Sequence, residues 1–295
     1  MSTAYLFPGQ GSQFVGMGKE LYDSNPSAAE YFDKANKILG IDLKAIMFEG
    51  PEEKLKQTEF TQPAIFLHSV ALYKTLDATP DMVAGHSLGE FSALVACGAV
   101  SFEDALKIVR RRGELMQQAG TENPGTMAAV IGLDDEAVEK VCAQASEESG
   151  KVVVAANYNC PGQLVISGYK EAVEKAVELA KENGARMAML LPVSGAFHSS
   201  LMQPAYDGLK DQLQQLDIKE PNCPIYSNYT AEPTTDTEDI RLNLLNQLLN
   251  PVRWTQTLNN MSTNGADLFV EVGPGKVLQG LVKRTLKGVE ISGHQ

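Results

Sequence analysis

The spacing of apolar and polar positions changes several times along the chain, and each change marks an element. Ala4-Tyr5-Leu6-Phe7 is a short apolar run that stops at Pro8-Gly9-Gln10-Gly11-Ser12-Gln13, a segment of turn formers. It predicts a buried strand followed by a loop. Helical spacing follows over residues 27–39. A further helix is predicted from Thr61-Gln62-Pro63, with Thr61 as its N-cap and the proline in its first turn. Met82-Val83-Ala84 is the next apolar run, and Phe91-Ser92-Ala93-Leu94-Val95-Ala96 reads as a helix. Strands alternating with helices in this way predict a parallel sheet flanked by helices.

Residues 101–119 carry the best-marked helix. Ser101-Phe102-Glu103-Asp104 resembles a capping box with Asp at the fourth position. Ala105, Ile108, Val109, Leu115 and Met116 then fall on one stripe at i, i+3, i+4 spacing. Beyond residue 123 the order changes. Strands are predicted at 126–131, 152–156, 164–167 and 187–193, and helices at 134–146 and 171–182, with Asn157 to Gln163 joining the middle strands. That order, βαββαβ, is the signature of a ferredoxin-like unit. The last third returns to α/β character, with a helix at 209–216, a strand at 225–228 and a strong strand at 268–272. Gly273-Pro274-Gly275-Lys276 precedes a helix from about Val277. This turn offers an anion site at a helix N-terminus, but its ordinary reading is the end of a strand.

The chemistry sits at Gly85-His86-Ser87-Leu88-Gly89-Glu90. G-x-S-x-G between an apolar strand and a helix is the context of a nucleophile elbow, in which a tight turn exposes the serine hydroxyl. The expected architecture is therefore α/β, with a hydrolase-like parallel-sheet core from residues 1–122 and 193–295. An inserted ferredoxin-like subdomain occupies residues 123–192.

A serine needs an adjacent base to act as a nucleophile. Of the four histidines, His86 points away from its neighbour at an elbow, and His294 lies in a tail expected to fray. His68 reads as a core histidine within a helix. His198, in the loop Ser194 to Ser200 after a strand, stands where α/β folds place catalytic groups. No acid declares itself as a third member. Arg112 falls in the middle of the apolar stripe, while Arg110 and Arg111 face solvent. A guanidinium is costly to bury unpaired, so an anion should meet Arg112. A carboxylate of the protein and a carboxylate of a substrate both satisfy that requirement.

Bulk properties narrow the classes. The chain has 295 residues and a formal net charge of −12, which argues against a broad nucleic-acid surface. Its apolar runs are too short to span a bilayer, and the N-terminus has no pattern of a signal peptide, so a cytoplasmic protein is expected. Cys97, Cys142, Cys160 and Cys223 show no C-x-x-C spacing, and the histidines show no H-x-x-x-H pair, so no metal site is expected.

Five motifs occur in order: Phe7-Pro8-Gly9-Gln10-Gly11-Ser12-Gln13, Gly85-His86-Ser87-Leu88-Gly89-Glu90, Arg111-Arg112-Gly113, Gly195-Ala196-Phe197-His198 and Glu271-Val272-Gly273-Pro274-Gly275. Together they closely resemble the malonyl-CoA:acyl carrier protein transacylases of type II fatty acid synthesis, from about residue 4 to residue 287. The resemblance implies malonyl transfer from malonyl-CoA to acyl carrier protein, with no cofactor. It casts Ser87 as nucleophile and His198 as base, with Gln10 and Leu88 supplying oxyanion-hole N–H groups. Arg112 would hold the malonyl carboxylate, and the main-chain carbonyl of Gln247 would orient His198. Phe197 matches the malonyl-selective form of its motif. Two other activities use the same elbow: a trans-acting acyltransferase of a polyketide pathway, and a serine thioesterase or esterase. A basic docking patch for an acidic carrier is expected among Arg110, Arg111, Lys283, Arg284 and Lys287.

Overall fold

The computed structural model describes residues 2–295. Its ten strands, in chain order, are β1 (Ser2–Phe7), β2 (Met82–Gly85), β3 (Gly125–Ile131), β4 (Val153–Cys160), β5 (Gln163–Tyr169), β6 (Met187–Leu190), β7 (Ile225–Tyr226), β8 (Pro233–Thr234), β9 (Ala266–Val272) and β10 (Glu290–His294). They form two sheets. The larger has the order β10-β9-β1-β2-β7-β8, with every neighbouring pair parallel except β7–β8.

β1 shows why the first apolar run is continuous. As a central parallel strand it is buried on both faces. Tyr5 and Phe7 enter one apolar cluster, and Ala4 and Leu6 enter another.

The elbow follows β2 directly. A Cβ on Gly85 would lie 1.8 Å from the carbonyl carbon of Gly89, and a Cβ on Gly89 would lie 2.1 Å from the Phe7 oxygen. Only glycine permits the elbow helix, Gly89–Ala96, to start so close to β1 and β2. That helix is buried along its whole length.

The second sheet has the order β4-β5-β3-β6, with all neighbours antiparallel. This is the strand order of a ferredoxin-like unit, and helices Asp135–Ser149 and Lys170–Glu182 complete it. Ala128, Val130, Leu164 and Ile166 pack into a cluster of their own. The alternate residues Met127 and Val165 belong to the main cluster, so the sheet turns its other face toward the large one. A bridge between Asn157 and Val252 ties β4 to the large body.

Several boundaries differ from the sequence expectations. The helix expected from Thr61 runs over Thr58–Tyr73, with Gln57 at its N-cap. Thr61 lies in the first turn and donates its hydroxyl to the Leu55 carbonyl. β4 and β5 extend almost to each other, so only Pro161-Gly162 turns the hairpin rather than seven residues. The strand expected to reach Val193 ends at Leu190.

His294 is no frayed tail, because β10 pairs with β9 along Glu290 to His294. The box at Ser101 is also altered. Asp104 N–H donates to the Ser101 hydroxyl at 3.1 Å, but the Asp104 carboxylate takes that same hydroxyl's proton rather than the cap's backbone N–H. The Gly273–Lys276 turn has no vacancy for an external anion at the following helix. The Glu271 carboxylate already accepts from the N–H groups of Leu278 and Gln279, at 3.1 and 3.0 Å.

Candidate active site

Ser87 closes the turn after β2 with φ 51°, and His198 sits in its loop with φ 57°. Left-handed backbone at a non-glycine residue is strained by about 1–3 kcal/mol, and the surrounding structure must enforce it. At Ser87 the enforcement is visible. Its N–H donates to Asn228 Oδ1 at 2.6 Å, and Asn228 Nδ2 donates to the Gly85 carbonyl at 2.7 Å. Asn228 follows β7, the parallel neighbour of β2, so the side chain reaches across the strand ends to brace the elbow.

The two strained residues meet. Ser87 Oγ lies 2.8 Å from His198 Nε2. The other ring nitrogen, Nδ1, donates to the main-chain carbonyl of Gln247 at 2.8 Å. That bond places the proton on Nδ1 and leaves Nε2 as the acceptor facing the serine. Arg112 joins them from helix Phe102–Glu122: Nη2 donates to Ser87 Oγ at 3.2 Å. It is 1% exposed. Its other partners are two amides, Gln62 Oε1 at 2.7 Å and Gln247 Oε1 at 2.8 Å.

A cavity of about 240 Å³ opens over this triad, between the end of β2 and the inner face of the second sheet. Gln10 and Leu88 line it beside Ser87, and Phe197, Met127 and Val165 form part of its apolar wall. Gln10 is held by a side-chain bond to Thr58 Oγ1 at 3.3 Å. The structure thus brings Ser87, His198, Arg112, Gln10, Leu88 and Phe197 to one cavity, with Gln247 directly beneath it.

The acyl transferase domain family matches residues 4–293 of the chain. A malonyl CoA-acyl carrier protein transacylase of Bacillus subtilis is 50% identical over 98% of this chain and 93% of its own length. The chain belongs to the malonyl-CoA–acyl carrier protein transacylase family of acyl transferases. An acyl carrier protein S-malonyltransferase of Vibrio cholerae superposes with TM-score 0.95 at 45% identity, covering 100% of this chain and 97% of that one. So does a malonyl-transacylase crystallised in complex with its type II PKS acyl-carrier protein, with TM-score 0.95 at 41% identity over 99% and 95% of the two chains.

Burial sets the electrostatics of this transacylase cleft. His198 is pushed down to about 3, first by burial and then by the charge of Arg112. Its imidazole is therefore neutral. Arg112 is itself lowered to about 10 by burial, with the charge of Glu90 acting the other way. Glu90 is raised to about 7 by burial, against hydrogen bonds from Asn228 and Gln247 and the charge of Arg112. His68 is a buried core histidine lowered to about 4 by burial. His86 Nε2 pairs with Asn159 Oδ1 at 2.9 Å, away from Ser87.

Three residues of this network escaped sequence reasoning: Gln62, Glu90 and Asn228. Glu90 had a readable signal, because it is the one charged residue in a largely apolar elbow helix. Asn228 stands at the C-terminal end of a parallel strand, where α/β sheets place their sites. Gln62 had no signal. Arg110 does not face solvent as expected, whereas Arg111 does, with 42% of its side chain exposed. Arg110 is 18% exposed and bound to Glu59 and Glu114, and Arg111 also contacts Glu114. Arg284 lines the cavity mouth and bonds Gln163 on β5. Among the described residues, no group of three or more His, Cys, Asp or Glu is placed to hold a metal ion, and no helix is long and apolar enough to cross a membrane.

Proposed function

We propose that this protein transfers a malonyl group from malonyl-CoA to the pantetheine thiol of an acyl carrier protein, through an ester on Ser87. One observation carries the reading: a single hydroxyl lies within hydrogen-bond reach of both a neutral imidazole and a buried guanidinium. The imidazole makes the serine a nucleophile, and the guanidinium selects an acyl group that ends in a carboxylate. The names of the relatives support the same substrate pair.

In the first half-reaction His198 Nε2 takes the Oγ proton as Oγ attacks the thioester carbon. The N–H groups of Gln10 and Leu88 receive the oxyanion, Leu88 standing at the start of the elbow helix where the dipole favours negative charge. The intermediate collapses, the C–S bond breaks, and His198 returns the proton to the CoA thiolate. In the second half-reaction the pantetheine thiol gives its proton to His198 and attacks the Ser87 ester. The thioester forms, and the serine recovers its proton. Each step uses only the chain's own groups and the two substrates.

Arg112 rejects acetyl-CoA because an acetyl group leaves it buried without an anion. Phe197 closes the wall against larger acyl groups. The two-part division at residues 123–192 gives the cleft its opposing walls. The free, buried cysteines support a cytoplasmic setting. Fatty acid synthesis is the pathway we assign. A polyketide pathway is the second reading, favoured by the similarity to the transacylase of a type II PKS carrier.

The test is intact mass after incubation with malonyl-CoA. The expected result is one malonyl adduct on wild type and none on Ser87→Ala. No adduct on wild type, or the same adduct on the variant, overturns the assignment. Hydrolysis of malonyl-CoA outpacing transfer to a holo carrier protein would make the protein a thioesterase.

A further inference from the structure

Beneath the cleft lies a contact that the proposed reaction does not use. The Gln247 side-chain amide uses both of its N–H donors and its carbonyl oxygen. Nε2 donates to the Ser87 carbonyl at 3.0 Å and to the Glu90 carboxylate, while Oε1 accepts from Arg112 Nη2 at 2.8 Å. A flipped amide would set its oxygen against two acceptors and its NH2 against a guanidinium. Its orientation is therefore dictated by what surrounds it. Of the two acceptors that dictate it, Glu90 is the side chain. Glu90 is 2% exposed, and its other oxygen accepts the Asn228 N–H at 3.0 Å, so the carboxylate is itself held at both oxygens.

The amide in turn fixes Arg112. Gln62 holds Nη1 and Gln247 holds Nη2, and Nε has no partner in the protein. Two neutral amides thus set the plane of the guanidinium and turn one edge toward Ser87. None of the partners of Arg112 is a carboxylate. A carboxylate in direct contact would neutralise the arginine and compete with an incoming anion. Glu90 instead acts one group away, offsetting part of the burial penalty while leaving the cation's edge toward Ser87 free of any protein carboxylate.

We infer that Glu90 is a positioning residue for acyl selectivity: through the Gln247 amide it holds the Arg112 guanidinium in the pose that receives a carboxylate-bearing acyl group. The inference rests on the malonyl-transfer reading of the cleft. It requires Glu90 to be an acceptor only. A glutamine there would aim its NH2 at either the Asn228 N–H or the Gln247 NH2, setting donor against donor. A proton on the carboxyl does the same.

The test compares acylation of Ser87 by malonyl-CoA and by acetyl-CoA, read by intact mass in single turnovers. With Glu90→Gln, the kcat/KM for malonyl-CoA should fall at least about tenfold, as expected for losing a hydrogen bond to a charged group. The value for acetyl-CoA should change less than about threefold. Equal losses on both substrates, or an unchanged ratio, overturn the inference and make Glu90 a fold staple.

If the variant does not fold, the wild-type ratio against pH decides. Burial raises Glu90 to about 7, so it is ionised above that pH and protonated below it. The malonyl-to-acetyl ratio should rise through pH 7, and a flat ratio overturns the inference. Arg112 is the charged side chain facing Glu90, and the neighbours that donate to it, Asn228 and Gln247, do not titrate. His198 stays neutral over that range, the malonyl carboxylate stays ionised, and the CoA phosphates are common to both substrates. Absence of any malonyl adduct on wild-type Ser87 would instead refute the underlying activity.

Discussion

The antiparallel sheet between Gly125 and Leu190 and the floor of the cleft solve burial in different ways. Between that sheet and its two helices lie Ala128, Val130, Val138, Val141, Leu164, Ile166, Val173 and other apolar side chains. Ion pairs such as Lys140–Glu136 stay on its surface, with both side chains more than 70% exposed. The cleft floor buries Gln62, Glu90, Arg112, His198, Asn228 and Gln247 in contact with one another, around two residues with left-handed backbone. A half-satisfied polar network is worse than an apolar core. Such a floor persists only with its partners in place, and here the partners come from six separated stretches of chain. The difference teaches where specificity is stored: in the part of the molecule that would be more stable if it were greasier.

The strongest way to break the comparison is Arg112→Ala. It removes the cation proposed to distinguish malonyl from acetyl and leaves the Glu90 charge without its opposite. Unpairing a buried charge costs about 3–5 kcal/mol. Malonylation should therefore fall by at least about a hundredfold, with a much smaller loss on acetyl-CoA. Equal losses on the two acyl groups would mean that the arginine serves the fold, as the second sheet's core does.

Ile166→Ala probes the other region. Ile166 is fully buried in the second sheet's own cluster, while its neighbour Val165 faces the cleft. Truncating it should destabilise the protein by about 2–5 kcal/mol, read by denaturant unfolding. The malonyl-to-acetyl ratio of the folded enzyme should not move. A changed ratio would show that the two regions are coupled through the sheet.

The same contrast explains what the sequence could tell. The second sheet was legible because its information is local. The apolar run in Thr126–Ile131 and the helical stretch Asp134–Ser146 each mark an element, and βαββαβ order fixes the strand arrangement. What was misjudged there was the hairpin, since Asn157 to Cys160 look like loop residues but are held as strand by pairing with β5 and by the bridge to Val252. In the cleft, Ser87 was legible from the elbow's strand–turn–helix setting, and Arg112 from a charge in an apolar stripe. The brace at Asn228 and the amides of Gln62 and Gln247 act across 141, 50 and 135 residues of chain. No local pattern encodes such distances. Gln247 was reached only through resemblance, and only for its main-chain carbonyl; its side chain is the busier half.

The smallest expected effect concerns the rim, where neither region's rules hold and charges are solvated. Arg110 is held by Glu59 and Glu114 and Arg111 meets Glu114 at 3.5 Å, which makes Lys283 and Lys287, near in sequence to Arg284 at the cavity mouth, the better candidates for docking an acidic carrier. Exposed pairs of this kind are worth below about 1 kcal/mol each and are screened by salt. Lys283→Glu should raise the KM for the carrier protein by roughly threefold to fivefold, with malonylation of Ser87 unchanged. Arg111→Glu should leave both steps near wild type. Raising salt should weaken transfer to the carrier more than it slows loading from malonyl-CoA. If both half-reactions respond alike, or if Arg111→Glu matters as much as Lys283→Glu, the carrier docks on another face. The rim would then differ from the cleft floor in what it recognises, because the floor is proposed to read one carboxylate through Arg112 and the rim would read shape rather than charge.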